Sequence, residues 1–148
     1  MNNRYLYRAK RMDNGEWVEG FLFPLCYDNI FRWCIGNEPL SPNDYSELYG
    51  YNREWFYIDE STICQCTGLK DEDGKKIFEG DIVGYIDCTS TENGYSEHYC
   101  RGRVAWDEET ASFQVTERLS AESYEVLDRE CNVLGNIFDN PELLEVGE

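Results

Sequence analysis

The sequence predicts a mainly β fold arranged as a barrel or a sandwich. Segments rich in β-branched and aromatic residues alternate with turn signals about every ten residues. Aromatic residues make up 15% of the 148 positions, a proportion that favours strands over helices. We expect residues 1–148 to form one domain that buries about 70% of the surface of its unfolded chain.

The N-terminal part, residues 1–60, opens with a predicted hairpin. Arg4–Lys10 and Trp17–Phe23 are its strands, and Asp13-Asn14-Gly15 has the composition of its turn. We expect Pro24 to end the second strand, because proline lacks the N–H that a ladder needs. Ile30–Ile35 is predicted as a third strand.

The next segment, Asn37–Tyr51, has two interpretations. Ser41 is a candidate N-cap of a short helix with Pro42 at its first position, and a surface loop is the alternative. Trp55–Ile58 then returns to an extended pattern.

The central stretch Cys64–Val83 organises the prediction for residues 61–148. It contains two strands separated by a turn, and a second turn that leads into a longer strand. The predicted segments are Ile63–Thr67, the turn Asp71–Gly74, Lys76–Phe78, the turn Glu79–Asp81 and Asp81–Ile86. The aspartates and glycines at the turns predict backbone-accepting carboxylates and positive φ angles.

The remaining chain predicts three further strands and one helical turn. Polar residues Cys88–Glu97, with an Asn93-Gly94 turn, are expected to join two strands, and Glu117–Arg129 fits either a short helix or a loop and strand. The strands are Tyr99–Trp106, Ala111–Thr116 and Asn132–Ile137. Asn140 is predicted as the N-cap of a short C-terminal helix with Pro141 at its first position.

Composition limits the function classes. Thirty acidic and thirteen basic residues give a net charge of −17, which disfavours direct nucleic-acid binding. The charge indicates either a well-solvated surface or a negative face that imitates DNA. No apolar run reaches membrane-span length and no signal peptide is recognised, so we expect a cytoplasmic protein. The seven cysteines are an odd number and are expected to be free thiols.

No catalytic, metal or cofactor motif is recognised. His98, with Ser96 nearby, is the one histidine, and no nucleophile motif accompanies it, so we expect an exposed loop residue. A zinc site would have to combine Cys64 and Cys66 with Cys88 and Cys100, a spacing that fits no common zinc motif, and buried thiols are the default.

Two further patterns have structural explanations. The Asp71–Gly74 segment fails as a calcium loop, because its first and twelfth positions would be Leu69 and Gly80. Tryptophans are candidates to line a groove, although most large aromatic residues of a small β domain lie in its core. These tryptophans are Trp17, Trp33, Trp55 and Trp106.

Three blocks of the sequence resemble the YopX family of phage and prophage proteins. The central block is Gln65–Val83, read as QxTGLKDxxGKxIFEGDIV. Arg8–Gly20 resembles the family's N-terminal block, and Leu134–Leu144 resembles its C-terminal block. The family usually has an aromatic residue at the position of Cys66. The segment 26–57 matches poorly and is expected to be a variable insert.

The resemblance implies an SH3-type barrel in residues 61–148, with additional N-terminal strands and a short C-terminal helical turn. It also implies a phage or prophage origin in a bacterial cytoplasm, and it brings no catalytic residue or cofactor. We interpret the signature positions as structural: glycines that turn, aspartates that accept backbone hydrogen bonds, and core residues. These positions are Gln65, Thr67, Gly68, Leu69, Asp71, Gly74, Gly80, Asp81, Gly135, Asn136 and Pro141.

The leading functional hypothesis is a non-enzymatic accessory protein that binds a host or phage protein, with homo-oligomerisation as a further expectation. An acidic DNA mimic that inhibits a host enzyme is the second hypothesis, and it depends on the net charge. An enzyme or metal site around the cysteines is the third.

Overall fold

The computed structural model describes residues 5–37, 54–116, 125–126 and 130–145. The chain divides into two compact units, Met1–Cys66 and Thr67–Glu148. Antiparallel strands dominate both, and two short 3-10 helices are described, at Glu60–Thr62 and Pro141–Leu144. The prediction of a mainly β fold is therefore confirmed. The described part of the chain contains no helix long and apolar enough to cross a membrane.

The first unit is built on one antiparallel sheet with the order β4-β3-β2-β1-β5. Its strands are β1 (Tyr7–Lys10), β2 (Trp17–Tyr27), β3 (Ile30–Gly36), β4 (Trp55–Tyr57) and the beginning of β5 (Cys64–Lys70). Both faces of the sheet bury apolar side chains. Phe23, Leu25 and Cys34 pack on one face, and Ala9, Ile35 and Ile58 form a separate cluster.

Strand β2 does not end at Pro24, contrary to the prediction. A two-residue turn with positive φ at Asp28 (54°) and Asn29 (62°) closes the β2–β3 hairpin, and Tyr27 pairs with Ile30. Hydrogen-bonded and non-hydrogen-bonded pairs alternate from that turn, so Pro24 falls in a non-hydrogen-bonded pair with Trp33. The backbone nitrogen of Pro24 is directed away from β3, so the β2–β3 ladder loses no hydrogen bond. Strand β1 does not require an N–H there either, since β1 pairs only with Trp17–Gly20.

The second unit contains a five-stranded antiparallel sheet with the order β10-β9-β8-β7-β11, and the later part of β5 pairs with β6. Its further strands are β6 (Lys76–Phe78), β7 (Asp81–Thr91), β8 (Gly94–Asp107), β9 (Ser112–Thr116), β10 (Glu125–Val126) and β11 (Asn132–Asn136). Ile77, Val83, Cys100, Val104 and Val115 are among its buried core residues.

The predicted SH3-type barrel is not confirmed. The sheet ends at β10 on one side and at β11 on the other, so the described strands do not close. Strand β10 has two residues and contributes little pairing. It lies within the ambiguous segment Glu117–Arg129, whose other residues are outside the described part of the chain. The predicted cap at Ser41 is also outside the described residues.

The polar segment between β7 and β8 is strand where a loop was predicted. Ten residue pairs continue from Ile82–Arg103 to Thr91–Gly94, and the turn is reduced to Glu92-Asn93. The cross-strand ladder holds the backbone, and Cys88, Ser90 and residues 91–97 are exposed. The sequence of this segment shows no alternation of apolar and polar residues, which is the pattern that predicts a half-buried strand.

Asn140 does not act as the predicted N-cap. The helical turn Pro141–Leu144 is present with Pro141 at its start, but no side-chain cap hydrogen bond is made. Instead the Asn140 side-chain oxygen accepts from the backbone N–H of Asn136 at 3.3 Å. The amide therefore stabilises the turn after β11.

Candidate functional site

The carboxylate of Asp71 accepts three backbone hydrogen bonds. Its side chain accepts from the backbone N–H groups of Asp73 and Lys75 at 2.9 Å and of Val133 at 3.0 Å. Burial alone would raise the pKa of this carboxyl, but the three backbone donors outweigh burial and lower the pKa. The carboxylate thus joins the β5–β6 turn to β11 within the second unit.

The other signature residues of β5–β7 also make backbone contacts. The Thr67 hydroxyl donates to the Ile77 carbonyl at 2.8 Å, and buried Asp81 accepts from the Phe78 N–H at 2.8 Å. Positive φ angles occur at three glycines, where a side chain would be strained. These are Gly68 (85°), Gly74 (82°) and Gly80 (85°).

The C-terminal signature forms a compact turn around Asn136. Its side-chain oxygen accepts from the N–H groups of Phe138 and Asp139 at 3.0 and 2.9 Å. A Cβ on Gly135 would lie 2.4 Å from the side-chain oxygen of Asn140, so only glycine fits there without a shift. Pro141 begins the helical turn that follows. In the remaining signature positions, Gln65 pairs with Tyr7 in the sheet and Leu69 packs against the core of the second unit.

The residues considered for catalysis and metal binding do not assemble into a site. His98 is exposed and lies on β8 rather than in a loop, with its Nε2 at 3.4 Å from the Ser96 hydroxyl. Cys64, Cys66 and Cys100 are buried and Cys88 is exposed. Within the described ranges, no three His, Cys, Asp or Glu side chains come together as a metal-binding group.

An exposed aromatic surface in the first unit was not predicted. Tyr27 (70% exposed), Ile30 (53%) and Phe31 (56%) lie at the β2–β3 turn, and Tyr57 on β4 is also exposed. On β3, Arg32 shares a face with Ile30, whereas Phe31 lies on the opposite face of the same exposed strand edge, where both residues line one depression. We call this set, together with Met12, the Arg32 surface. Tyrosine, arginine and methionine are enriched in protein interfaces, and tyrosine and arginine in their energetic centres.

Ring contacts hold the side chains of this surface in place. The Arg32 guanidinium lies over the Tyr57 ring at 5.4 Å from its centroid. Phe31 and Trp33 meet edge to face at 5.5 Å, and Trp55 and Tyr57 do so at 5.1 Å. Such contacts fix large side chains before any ligand arrives, which lowers the entropy lost on binding.

Arg11 beside the surface is already neutralised. Its guanidinium donates to both carboxylate oxygens of Asp13, at 2.9 and 2.6 Å, and lies 4.0 Å above the Phe56 ring. The hydrogen bond from Arg11 lowers the pKa of Asp13 and raises that of Arg11. For Arg32, by contrast, the contact in the described residues is with a ring, and no carboxylate pairs with it.

Three neighbouring depressions share Arg32 as a wall. Their volumes are about 380, 420 and 430 Å³, and all three are open to solvent. Met12 lines two of them and Tyr57 lines two. Strand β4 pairs only with Cys34–Gly36, so no described strand covers Ile30–Arg32 on that side of β3. Shallow adjoining depressions beside a strand edge fit an extended peptide segment better than one enclosed small molecule.

The model of the YopX protein family matches residues 6–145. The chain belongs to the YopX family. A crystal structure of protein EF1440 from Enterococcus faecalis is similar at 27% identity, with 94% of this chain and 96% of that chain covered and a TM-score of 0.47. A search of the curated proteins gave no match.

For this YopX-family chain, the sequence did not lead us to expect the Arg32 surface. Two signals were available. The Asp28-Asn29 pair favours the positive φ angles of a two-residue hairpin turn. A hairpin through Tyr27 and Ile30 then places apolar side chains next to a solvent-facing turn. The tryptophans expected in the core are only partly buried, and Trp106 is 47% exposed.

Proposed function

We propose that this YopX-family chain is a phage-type accessory protein of the bacterial cytoplasm that binds another protein and catalyses no reaction. The observation that carries the proposal is the Arg32 surface, in which one arginine borders three depressions lined with aromatic and aliphatic side chains. Exposed apolar groups around a central arginine are typical of the energetic centre of an interface.

The chemistry of the surface indicates the kind of segment it binds. Ile30, Phe31 and Tyr57 offer apolar contacts, and the edge of β3 offers backbone groups to an extended chain. The guanidinium of Arg32 favours a carboxylate on the partner. We therefore propose an extended, apolar segment that carries an acidic residue.

The DNA-mimic hypothesis has less support. It needs carboxylates arrayed over one face, whereas the Arg32 surface is aromatic with a cation at its centre. The net charge of −17 remains its one argument. A closed SH3-type barrel is not required for the binding proposed here, because the Arg32 surface lies within the first unit.

The test is comparative capture from a lysate of phage-infected bacteria, with the purified chain as bait. Arg32→Ala and Phe31→Ala are expected to lose a protein that the unmodified chain captures. Lys70→Ala and Tyr5→Ala are the matched controls, because these side chains are exposed and distant in sequence from β3, and both are expected to capture it fully. Thermal melts establish that all variants are folded. Equal capture by all five proteins would overturn the proposal.

A further inference from the structure

The β7–β8 hairpin extends beyond the sheet that holds it. Strand β11 pairs with β7 only at Asp81–Gly84, and β9 pairs with β8 only at Arg103–Asp107. From Ile86 to Tyr99 the two strands pair with each other and with no other described strand. Every residue from Gly94 to Tyr99 is exposed. We call residues 86–99 the β-arm.

One face of the β-arm carries three exposed aromatic or aliphatic side chains. Ile86 (58% exposed) and Tyr99 (62% exposed) are directly opposed across the two strands, and Tyr95 lies on the same face four residues before Tyr99. At the base of this face, a Cβ on Gly84 would lie 2.1 Å from the Tyr99 hydroxyl and 3.1 Å from Leu134. Tyr99 therefore lies across Gly84 and beside Leu134, which is itself 40% exposed. Ile86, Tyr99 and Leu134 thus form an apolar strip across solvent-facing strands, from which Tyr95 is separated by Glu97, and exposed apolar groups of this kind mark interaction sites.

Opposite charges flank this strip symmetrically. Glu97 lies two residues before Tyr99 on β8, and Arg101 lies two residues after it. All three side chains are on one face, because alternate residues of a strand share a face. Glu97 and Arg101 are about 13 Å apart along the strand, too far for a direct ion pair within one chain.

We propose that the β-arm binds the β-arm of a second copy of this chain, face to face and antiparallel. The twofold axis runs across the hairpin through the row formed by Ile86 and Tyr99. This operation places Tyr99 against Tyr99 and Ile86 against Ile86 of the second copy. It also brings Glu97 of each copy to Arg101 of the other, so two ion pairs close the interface on either side of an apolar centre.

The charge pattern is the reason for choosing a second copy as the occupant. A twofold interface requires a surface that complements itself, with residue i facing j and j facing i. Negative and positive groups at equal distances from an apolar row meet that requirement. The Tyr95 hydroxyl, which donates to a Glu97 carboxylate oxygen at 2.8 Å and lies 3.0 Å from the Cys88 sulfur, holds Glu97 on this face. This inference is independent of the proposed function, which concerns residues of the first unit.

The first test measures self-association by sedimentation equilibrium. The unmodified chain is expected to dimerise, and Ile86→Glu is expected to raise the dimer dissociation constant at least about tenfold, because two carboxylates would be buried at the axis. Ile30→Glu is the matched control: its side chain is 53% exposed at the other prominent hairpin, and the dissociation constant is expected to stay unchanged. A chain that stays monomeric at roughly 100 µM, or a dimer that Ile30→Glu dissociates and Ile86→Glu does not, overturns the proposal.

The second test reverses the charges. Glu97→Lys and Arg101→Glu are each expected to weaken the dimer about tenfold, because like charges then meet across the axis. The double variant is expected to return to within about threefold of the unmodified chain. Rescue identifies contact between copies, since the two residues are too far apart to pair within one chain. Additive weakening in the double variant would exclude the antiparallel pairing.

The third test locates the axis. In a background with Cys26→Ser and Cys88→Ser, which removes the two exposed thiols, Ile86→Cys is expected to be cross-linked to a dimer by a short bismaleimide, because sheets packed face to face lie about 10 Å apart, beyond the reach of a direct disulfide. The same background with Ile30→Cys is expected to stay monomeric on a non-reducing gel. Equal cross-linking of both variants would indicate random collision and would count against the proposed axis.

Discussion

Replacing Asp71 tests whether the signature stretch is structural. Its side chain accepts three backbone hydrogen bonds and is 7% exposed. A hydrogen bond to a charged group contributes about 1.5–3 kcal/mol, and less where water replaces it. The donors of Asp73 and Lys75 lie in an exposed turn, so their loss costs roughly 0.5–1 kcal/mol each. The Val133 donor is half-buried and contributes the full amount. Asp71→Ala should therefore cost about 3 kcal/mol.

A graded series separates these contributions. One carboxylate oxygen serves both turn donors and the other serves Val133, so Asp71→Asn keeps the turn bonds and presents an N–H to the Val133 N–H. We expect Asp71→Asn to cost about 2 kcal/mol, because it loses the β11 contact alone. Asp73→Ala is the matched control in the same exposed turn and should stay within about 0.5 kcal/mol.

The assay is urea unfolding followed by tryptophan fluorescence, repeated from neutral to acidic pH. The folded pKa of Asp71 lies below its unfolded value, so its contribution is present above about pH 4 and is lost as the pH falls through the folded pKa. The difference between the unmodified chain and Asp71→Asn should shrink below pH 4. If Asp71→Ala cost no more than Asp73→Ala, the structural reading of the signature would be refuted.

Two further predictions concern packing and thiol access. Gly20→Ala should cost about 3 kcal/mol in urea unfolding, because its Cβ would lie 2.2 Å from the Gly36 carbonyl oxygen; Gly15→Ala, where φ is 72° but space is open, should cost only about 1 kcal/mol. Equal costs would show that the strands move apart readily. A thiol reagent at pH 8 should modify Cys26 rapidly in the folded chain, Cys88 rapidly in the monomer but slowly in the proposed β-arm dimer, and the five buried cysteines only on unfolding, which intact-mass spectrometry counts.

The protection of one buried thiol has two causes. Cys34 is inaccessible, and burial also raises the pKa of its thiol to about 11. At pH 8 the reactive thiolate is therefore scarce even when a local opening admits the reagent. Rapid modification of Cys34 in the folded chain would contradict the packing of β3.

The turns of the second unit could be read directly from the sequence. Asp71, Gly74, Gly80 and Asp81 act through their own backbone or that of close neighbours, and such local chemistry is visible in a short window. The hydrogen bond from Val133 to Asp71 could not be read, because it joins residues 62 positions apart. Sequence spacing carries no information on that contact.

The strand ends were harder to predict because they depend on which partner lies alongside. Pro24 stays within β2 because its pair with Trp33 is a non-hydrogen-bonded pair and needs no N–H from proline. The Asp28-Asn29 turn determines this, because it fixes which pairs of the ladder are hydrogen-bonded. The β-arm escaped prediction for the opposite reason. Its ladder is regular, but residues 88–97 lack the alternation of apolar and polar residues that normally reveals a strand.

The structure separates what specifies the fold from what offers contact to other molecules. The side chains of Asp71, Asp81 and Asn136 accept hydrogen bonds from backbone N–H groups of the second unit. These oxygen atoms are therefore already hydrogen-bonded within the protein itself. The side chain of Arg32 faces solvent, as do those of Ile86 and of residues 94–99 on the β-arm. A family match that rests on the first set therefore identifies a scaffold. The partner must be sought with the second set, where a substitution can change binding while leaving the free energy of unfolding nearly unchanged.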